Sequence, residues 1–274
     1  MKIKVQSNIE LYVKDIGKGQ PILFIHGWPF NHTQYEYQFN RFLELGYRCI
    51  AVDMRGAGKS DAPWEALSSK NTLYTYDTFA DDIKKVIDDL ELKNIILVGF
   101  SIGGAMVLHY LAKYSCYQVS KALLLGAAAP LFTKREDFNF PSFDKASVDK
   151  LVEDIKYDRP KAVADFANNV FHKEVSLPFR DWIQQMCMSM DANATIKWLI
   201  SLRDFDLRSD MSKVNVPTAI FHGKNDKICP FELGQTLHKN IKSSKLVIFE
   251  ESGHGLWHDE LEKFNTEFIN FIKQ

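Results

Sequence analysis

Ser101 stands in Gly99-Phe100-Ser101-Ile102-Gly103, after the apolar, β-branched run Ile95 to Val98 and before a helix-like stretch carrying Ala105, Met106, Leu108, Leu111 and Ala112. Gly-x-Ser-x-Gly in that setting predicts a sharp strand-to-helix turn that lifts one hydroxyl into the open. Small residues are needed two positions either side because strand and helix backbones nearly touch there. The chemistry on offer is nucleophilic attack, for which a serine hydroxyl needs a base. Two blander readings compete. One is an ordinary glycine-rich turn between a strand and a helix. The other is a membrane span, since residues 94–112 contain no Asp, Glu, Lys or Arg and have about the right length. Three glycines and the polar Asn94, Ser101 and His109 argue against a span. A strand and helix buried in a parallel sheet explain the apolarity better.

The chain has eight histidines from which a base could come. His254 sits in Glu250-Glu-Ser-Gly-His-Gly-Leu256, directly after the last apolar run and before the last helical pattern. Loops at the carboxyl ends of parallel strands converge on one sheet edge, the edge where the serine turn lies. His258 is the rival, read as a solvated or capping residue at a helix start. His109 and His238 fall in helical patterns and His222 in a strand, where core or surface roles are the default. The imidazole in turn needs a carboxylate to fix its tautomer. Asp226, in His222-Gly-Lys-Asn-Asp-Lys-Ile-Cys-Pro230, follows a strand and fits, whereas Asp204 and Asp206 precede that strand.

Acyl transfer also needs donors for the developing oxyanion. Backbone N–H groups are expected from Ile102, after the serine, and from Trp28, in the loop His26-Gly-Trp-Pro-Phe-Asn31. Pro29 has no N–H and fixes the shape of that loop. Gly56-Ala-Gly-Lys-Ser60 imitates the tail of a phosphate loop, but the required glycine five positions before Gly58 is Asp53. Neither His-Glu-x-x-His nor a Cys/His cluster occurs, so no metal and no cofactor is expected.

These residues require a scaffold, and the chain spells one. Strand candidates run Lys2 to Gln6, Glu10 to Lys14, Pro21 to Ile25, Tyr47 to Asp53, Asn94 to Val98, Lys121 to Leu125, Pro217 to His222 and Lys245 to Phe249. The first two alternate and predict an antiparallel hairpin at one edge. Helical patterns near Tyr35 to Leu45, Tyr76 to Leu90, Ile102 to Tyr114, Phe231 to Asn240 and His258 to Lys273 separate the later runs. The expectation is an α/β fold with a mostly parallel sheet of eight strands, covered on both faces. Core segments 1–130 and 215–274 would flank a helical insertion, 131–214. That insertion holds Phe138, Phe140, Phe143, Phe166, Phe171, Trp182, Met186, Met188, Met190 and Trp198. Most of these are expected to be core, and a minority to line a pocket facing Ser101.

With 34 basic and 35 acidic residues, net charge is −1, so no global field attracts nucleic acid or an anionic membrane. A small neutral substrate is the better expectation. The first ten residues lack the apolar core of a signal peptide. Cys49, Cys116, Cys187 and Cys229 are widely spaced, which reads as four reduced thiols in a cytoplasmic protein.

Taken together the chain resembles the α/β-hydrolases, most closely the cofactor-free haloperoxidase and esterase branch. The segments that carry the resemblance are His26-Gly-Trp-Pro, Asp53 to Ser60, Gly99 to Gly104, Asp204 to Arg208, His222 to Asp226 and Ser252 to Gly255. It implies Ser101, Asp226 and His254 as the triad and Trp28 and Ile102 as oxyanion donors, with the insertion as a cap. Ile102 departs from the methionine usual after the nucleophile, altering the pocket wall but not the donor. A proline after the oxyanion tryptophan, here Pro29, implies a perhydrolase side activity in which hydrogen peroxide replaces water. Cleavage of small carboxylic esters is the leading expectation. Lactonase, thioesterase and carbon–carbon bond hydrolase activities use the same triad, and a ligand sensor on this fold would label Ser101 once and stall. A serine rather than an aspartate nucleophile makes dehalogenase and epoxide hydrolase chemistry unexpected.

Overall fold

Continuous apolar runs bounded by loops fold as buried strands. The computed structural model describes residues 1–138 and 143–274. In chain order the elements are β1 (Lys2–Gln6), β2 (Ile9–Ile16), β3 (Pro21–Ile25), a 3-10 turn (His32–Tyr35), α1 (Glu36–Glu44), β4 (Arg48–Val52), α2 (Tyr76–Asp89), β5 (Ile95–Phe100), α3 (Ile102–Lys113) and β6 (Val119–Leu125). There follow α4 (Lys145–Val170), α5 (Leu177–Met188), α6 (Ala192–Asp204), a second 3-10 turn (Arg208–Lys213), β7 (Thr218–Gly223), α7 (Phe231–Asn240), β8 (Ser244–Phe249), α8 (Leu256–Asp259) and α9 (Leu261–Lys273).

The eight strands make one sheet in the order β1-β2-β4-β3-β5-β6-β7-β8. β1 pairs antiparallel with β2, and β2 antiparallel with β4; every later pair is parallel. The edge hairpin and the parallel body are therefore those expected from the sequence. Period-two alternation splits the strand side chains between two cores. Leu23, Ile25, Leu97 and Leu124 face the side of α2, α3 and α7. Ile22, Phe24, Val98 and Leu125 pack with Phe39 and Phe42 of α1 and Phe264 and Phe268 of α9. The apolar segment 94–112 is β5, a turn and α3, with both faces covered, which removes the membrane-span reading.

One helix differs from the sequence expectation. The pattern His258 to Lys273 breaks at Glu260 (φ −125°, ψ 54°), leaving α8 and α9 as separate helices. The cause is local: the Glu260 carboxylate turns back to accept from Glu251 N–H (3.0 Å) and Ser252 Oγ–H (2.7 Å). Between β6 and β7, α4 runs 26 residues but kinks at Asp158 (φ −148°, ψ 77°), two positions before Pro160, whose ring and missing N–H interrupt the helix. Trp198, Met186 and Met190 are buried, while Phe143 is exposed. Phe140 lies outside the described residues.

Candidate active site

Ser101 occupies the turn between β5 and α3 with φ 56° and ψ −123°. A left-handed, non-glycine backbone of this kind costs on the order of 1–3 kcal/mol and must be held by its surroundings. The holding contacts are explicit. Ser101 N–H donates to Leu125 O (2.9 Å), and Ser101 O accepts from Gly104 and Ala128 N–H (2.9 and 3.0 Å). An ideal Cβ on Gly99 would lie 2.3 Å from Gly103 O, and one on Gly103 would lie 2.4 Å from His26 O. The close backbone approach inferred from the motif is thus physical.

β7 ends at Gly223 and β8 at Phe249, and their outgoing loops deliver Asp226 and His254 to the same edge. Asp226 Oδ1 accepts from Ile228 and Cys229 N–H, both at 2.8 Å. Its Oδ2 lies 2.7 Å from His254 Nδ1. A carboxylate only accepts, so Nδ1 carries the proton and Nε2 presents a lone pair. That Nε2 is buried and has no partner among the described residues, so it does not hydrogen-bond to Ser101 in this structure. The His254 ring packs on Phe100, the residue before the serine, at 4.5 Å between centroids.

His222 was expected in a core or surface role, and it lies against Asp226, with Nε2 3.6 Å from Oδ2. Nε2–H donates to Cys229 O at 2.8 Å. Burial lowers the His222 pKa, so this ring is a neutral prop for the Asp226 turn. Cys229 goes further than a plain buried thiol, because its side chain interacts with that of Ser101. Burial, and after it the Asp226 charge, push this thiol well up. Nothing in residue spacing signalled that contact.

The rival assignments go elsewhere. His258 is half-buried: its ring stacks on Phe179 at 4.0 Å, with Tyr37 and Phe171 edge-on nearby. Desolvation lowers its pKa. Asp204 pairs with Arg203 (2.7 Å) and Lys145 (3.5 Å), and Asp206 with Arg208 (2.6 Å).

Trp28 and Ile102 line one cavity with Ser101, and neither backbone N–H donates to an acceptor among the described residues. The loop that carries Trp28 is tied down from both ends. Met54 N–H donates to His26 Nε2 (3.0 Å) while His26 Nδ1 faces Gly27 O (2.8 Å). Buried Asp53 holds the other end, accepting at Oδ1 from His32 N–H (2.7 Å) and His32 Nδ1 (2.8 Å) and at Oδ2 from Lys59 N–H (2.9 Å). The glycine-rich Gly56 to Ser60 segment therefore closes a clamp on Asp53. The Trp28 indole donates to Thr195 O of α6 at 3.0 Å.

The cavity measures about 560 Å³, the size of ordinary small-molecule pockets. Its apolar wall includes Phe132, Phe143, Leu151, Phe166, Leu199 and Ile228. Charges at its rim largely pair along α4, Lys150 with Asp154 and Lys161 with Asp165. A cavity with an apolar wall, the Ser101 hydroxyl and two unengaged backbone N–H donors can bind an uncharged carbonyl compound.

Residues 20–261 match the family model described as alpha/beta hydrolase fold. The chain is 45% identical over 269 residues to the AB hydrolase superfamily protein YisY of Bacillus subtilis (strain 168), spanning 98% of this chain and 97% of that one. Among solved structures, an esterase (EaEST) from Exiguobacterium antarcticum superposes with TM-score 0.95 at 45% identity, covering 100% of this chain and 99% of its own. A bromoperoxidase from Bacillus anthracis superposes with TM-score 0.93 at 34% identity, with the same coverage.

Proposed function

Because the chain belongs to the alpha/beta hydrolase fold family, in its haloperoxidase and esterase branch, we propose that it cleaves small carboxylic esters through an acyl enzyme on Ser101. The observation that carries this reading is the His254 imidazole, protonated toward Asp226 and bare at a buried Nε2. Ser101 Oγ adds to the ester carbonyl carbon as its proton passes to Nε2, a contact that tightens when substrate fills the site. The tetrahedral oxyanion accepts from Trp28 and Ile102 N–H, each donor worth about 3 kcal/mol in comparable sites. Collapse expels the alcohol, which takes the proton from His254. Water, deprotonated by the same nitrogen, then releases the acid and restores Ser101.

We take residues 131–214 as a cap that closes over this edge of the core formed by 1–130 and 215–274. The apolar lining favours acyl groups that are alkyl or aryl. Pro29 after Trp28, together with the likeness to a bromoperoxidase, supports a second outcome for the acyl enzyme. Hydrogen peroxide in place of water attacks the acyl carbonyl and leaves as the peracid, with no change in the role of His254.

The test is turnover of a short-chain aryl ester by wild type and Ser101→Ala, with thermal melts to show that both fold. The expected result is loss of multiple turnover and of covalent labelling by a phosphonate probe. A folded Ser101→Ala that keeps wild-type turnover overturns the reading, and a wild type that labels once and stalls identifies a sensor instead.

A further inference from the structure

The loop that carries His254 is joined to the end of α4 through a buried carboxylate. Asp259, 7% exposed at the end of α8, takes three backbone N–H donors. Oδ2 accepts from Gly253 (2.8 Å) and His172 (2.9 Å), and Oδ1 from Lys173 (3.1 Å). Gly253 precedes His254; His172 and Lys173 follow directly on α4. On the other side of the histidine, Gly255 N–H donates to Val170 O, the last residue of α4, at 2.7 Å. Of the two neighbours of His254, Gly255 is thus bonded directly to the 170–173 stretch, and Gly253 is joined to it through the Asp259 carboxylate.

The fit leaves no slack. A Cβ on Gly253 would lie 2.9 Å from His172 N, and one on Gly255 would lie 2.3 Å from the Phe171 ring. An acceptor-only group is what three converging N–H donors require, since any hydrogen on it would face one of them. The same helix lines the cavity with Ser101 through Ala162, Asp165, Phe166 and Asn169. Whatever occupies the cavity therefore presses on the helix whose end seats the base.

We infer that Asp259 is a positioning residue: it locks the His254 loop to the end of α4, so that the placement of Nε2 depends on the helix that contacts substrate. The inference rests on the reading of His254 as the base for Ser101. Asp259 touches neither substrate nor the reacting atoms, and its loss shows in turnover rather than in binding.

The experiment uses the full chain, p-nitrophenyl butyrate as substrate, and the variants Asp259→Asn and Asp259→Ala, each normalised to folded protein by a thermal melt. The expected result is a kcat reduced tenfold or more in both, with KM within twofold of wild type, because a misplaced base slows chemistry without emptying the pocket. Unchanged kcat per folded molecule, or an equal change carried by KM, overturns the inference. Should neither variant fold, residue-resolved amide hydrogen exchange on the wild type decides. Protection of Gly253, His172 and Lys173 that rises and falls together supports a single lock, and exchange of 172–173 a hundredfold faster than 253 refutes it. Ser101→Ala run alongside separates the two ideas: if it stays active, the assignment of the site fails, and if it is dead while Asp259→Asn is normal, only the lock fails.

Discussion

Asp226 Oδ2 lies 2.7 Å from His254 Nδ1, while Asp226 Oδ1 is fixed by the N–H groups of Ile228 and Cys229. The two oxygens are therefore not interchangeable. In Asp226→Asn the amide oxygen must stay with the two N–H donors, which turns the NH₂ toward Nδ1. His254 then accepts at Nδ1 and carries its proton on Nε2, where it can no longer act as base. The expected loss in kcat is about 10⁴-fold with little change in thermal midpoint. Steady-state kinetics on an aryl ester check this, and a loss under tenfold would remove Asp226 from the base's support.

Gly103 tests the turn itself. Its Cβ would sit 2.4 Å from His26 O and 2.5 Å from Ile25 O, both backbone atoms at the end of β3 that cannot step aside. Gly103→Ala is expected to cost more than about 3 kcal/mol, beyond the usual range for a single methyl group. Urea unfolding measures it, and a cost under about 1 kcal/mol would mean that the elbow is looser than its geometry.

What could be read in the chain was whatever depends on neighbours in sequence. Strand runs, the constrained glycines around Ser101, and the loops carrying Asp226 and His254 are local patterns, and the parallel topology brings those loops to one edge. The kink at Asp158 had a local signal too, in Pro160. The contacts that were not legible join segments far apart: Cys229 against Ser101, Phe179 over His258, Asp259 under His172. Each is a matter of which helix end meets which loop, and single-residue types carry almost none of that information. His258 illustrates the error. Its place near a helix start suggested solvent, but α5 supplies a phenyl ring that covers it.

His109 bridges two elements and gives stability a pH dependence. Its Nδ1 lies 2.8 Å from Asp210 Oδ2 and its Nε2 3.2 Å from Asp77 Oδ1, with Lys113, Asp81 and Lys213 in the same cluster. Burial opposes its charge, but the hydrogen bonds to Asp210 and Asp77 outweigh that and raise its pKa. A pKa raised on folding adds stability below the unfolded value of about 6.5. That stability is lost as pH rises through the folded value. Relative to wild type, His109→Gln should therefore melt lower at pH 6 by about 2–4 °C and nearly alike at pH 9. A gap that widens with pH contradicts the sign.

All four cysteines are free and buried. Desolvation lifts Cys49 to about 12 and moves Cys187 and Cys229 upward as well, so these three carry almost no thiolate at neutral pH. A disulfide exchange reagent should find no fast-reacting thiol in the native protein and four after denaturation. One fast thiol that maps to Cys229 and disappears when Ser101 is phosphonylated would instead show that the cavity admits reagent to a thiol beside Ser101.

Phe166 sets part of the width of the cavity at Ser101. Its ring meets the Trp28 indole edge-on at 4.9 Å between centroids and lines the cavity with Ser101. Phe166→Ala opens that wall without freeing the Trp28 loop, because Trp28 keeps its bond to Thr195 O (3.0 Å) and Asp53 keeps His32. Being only half-buried, the ring should cost less than the roughly 3–5 kcal/mol of a fully buried phenylalanine. Specificity is where the change should appear. A hydrophobic pocket discriminates by about 1–3 kcal/mol per methylene-sized fit, so the ratio of kcat/KM for octanoyl over acetyl aryl esters should rise about tenfold. With kcat for the preferred ester retained, an unchanged ratio would place the acyl chain away from α4 and toward Leu199 and Ile228.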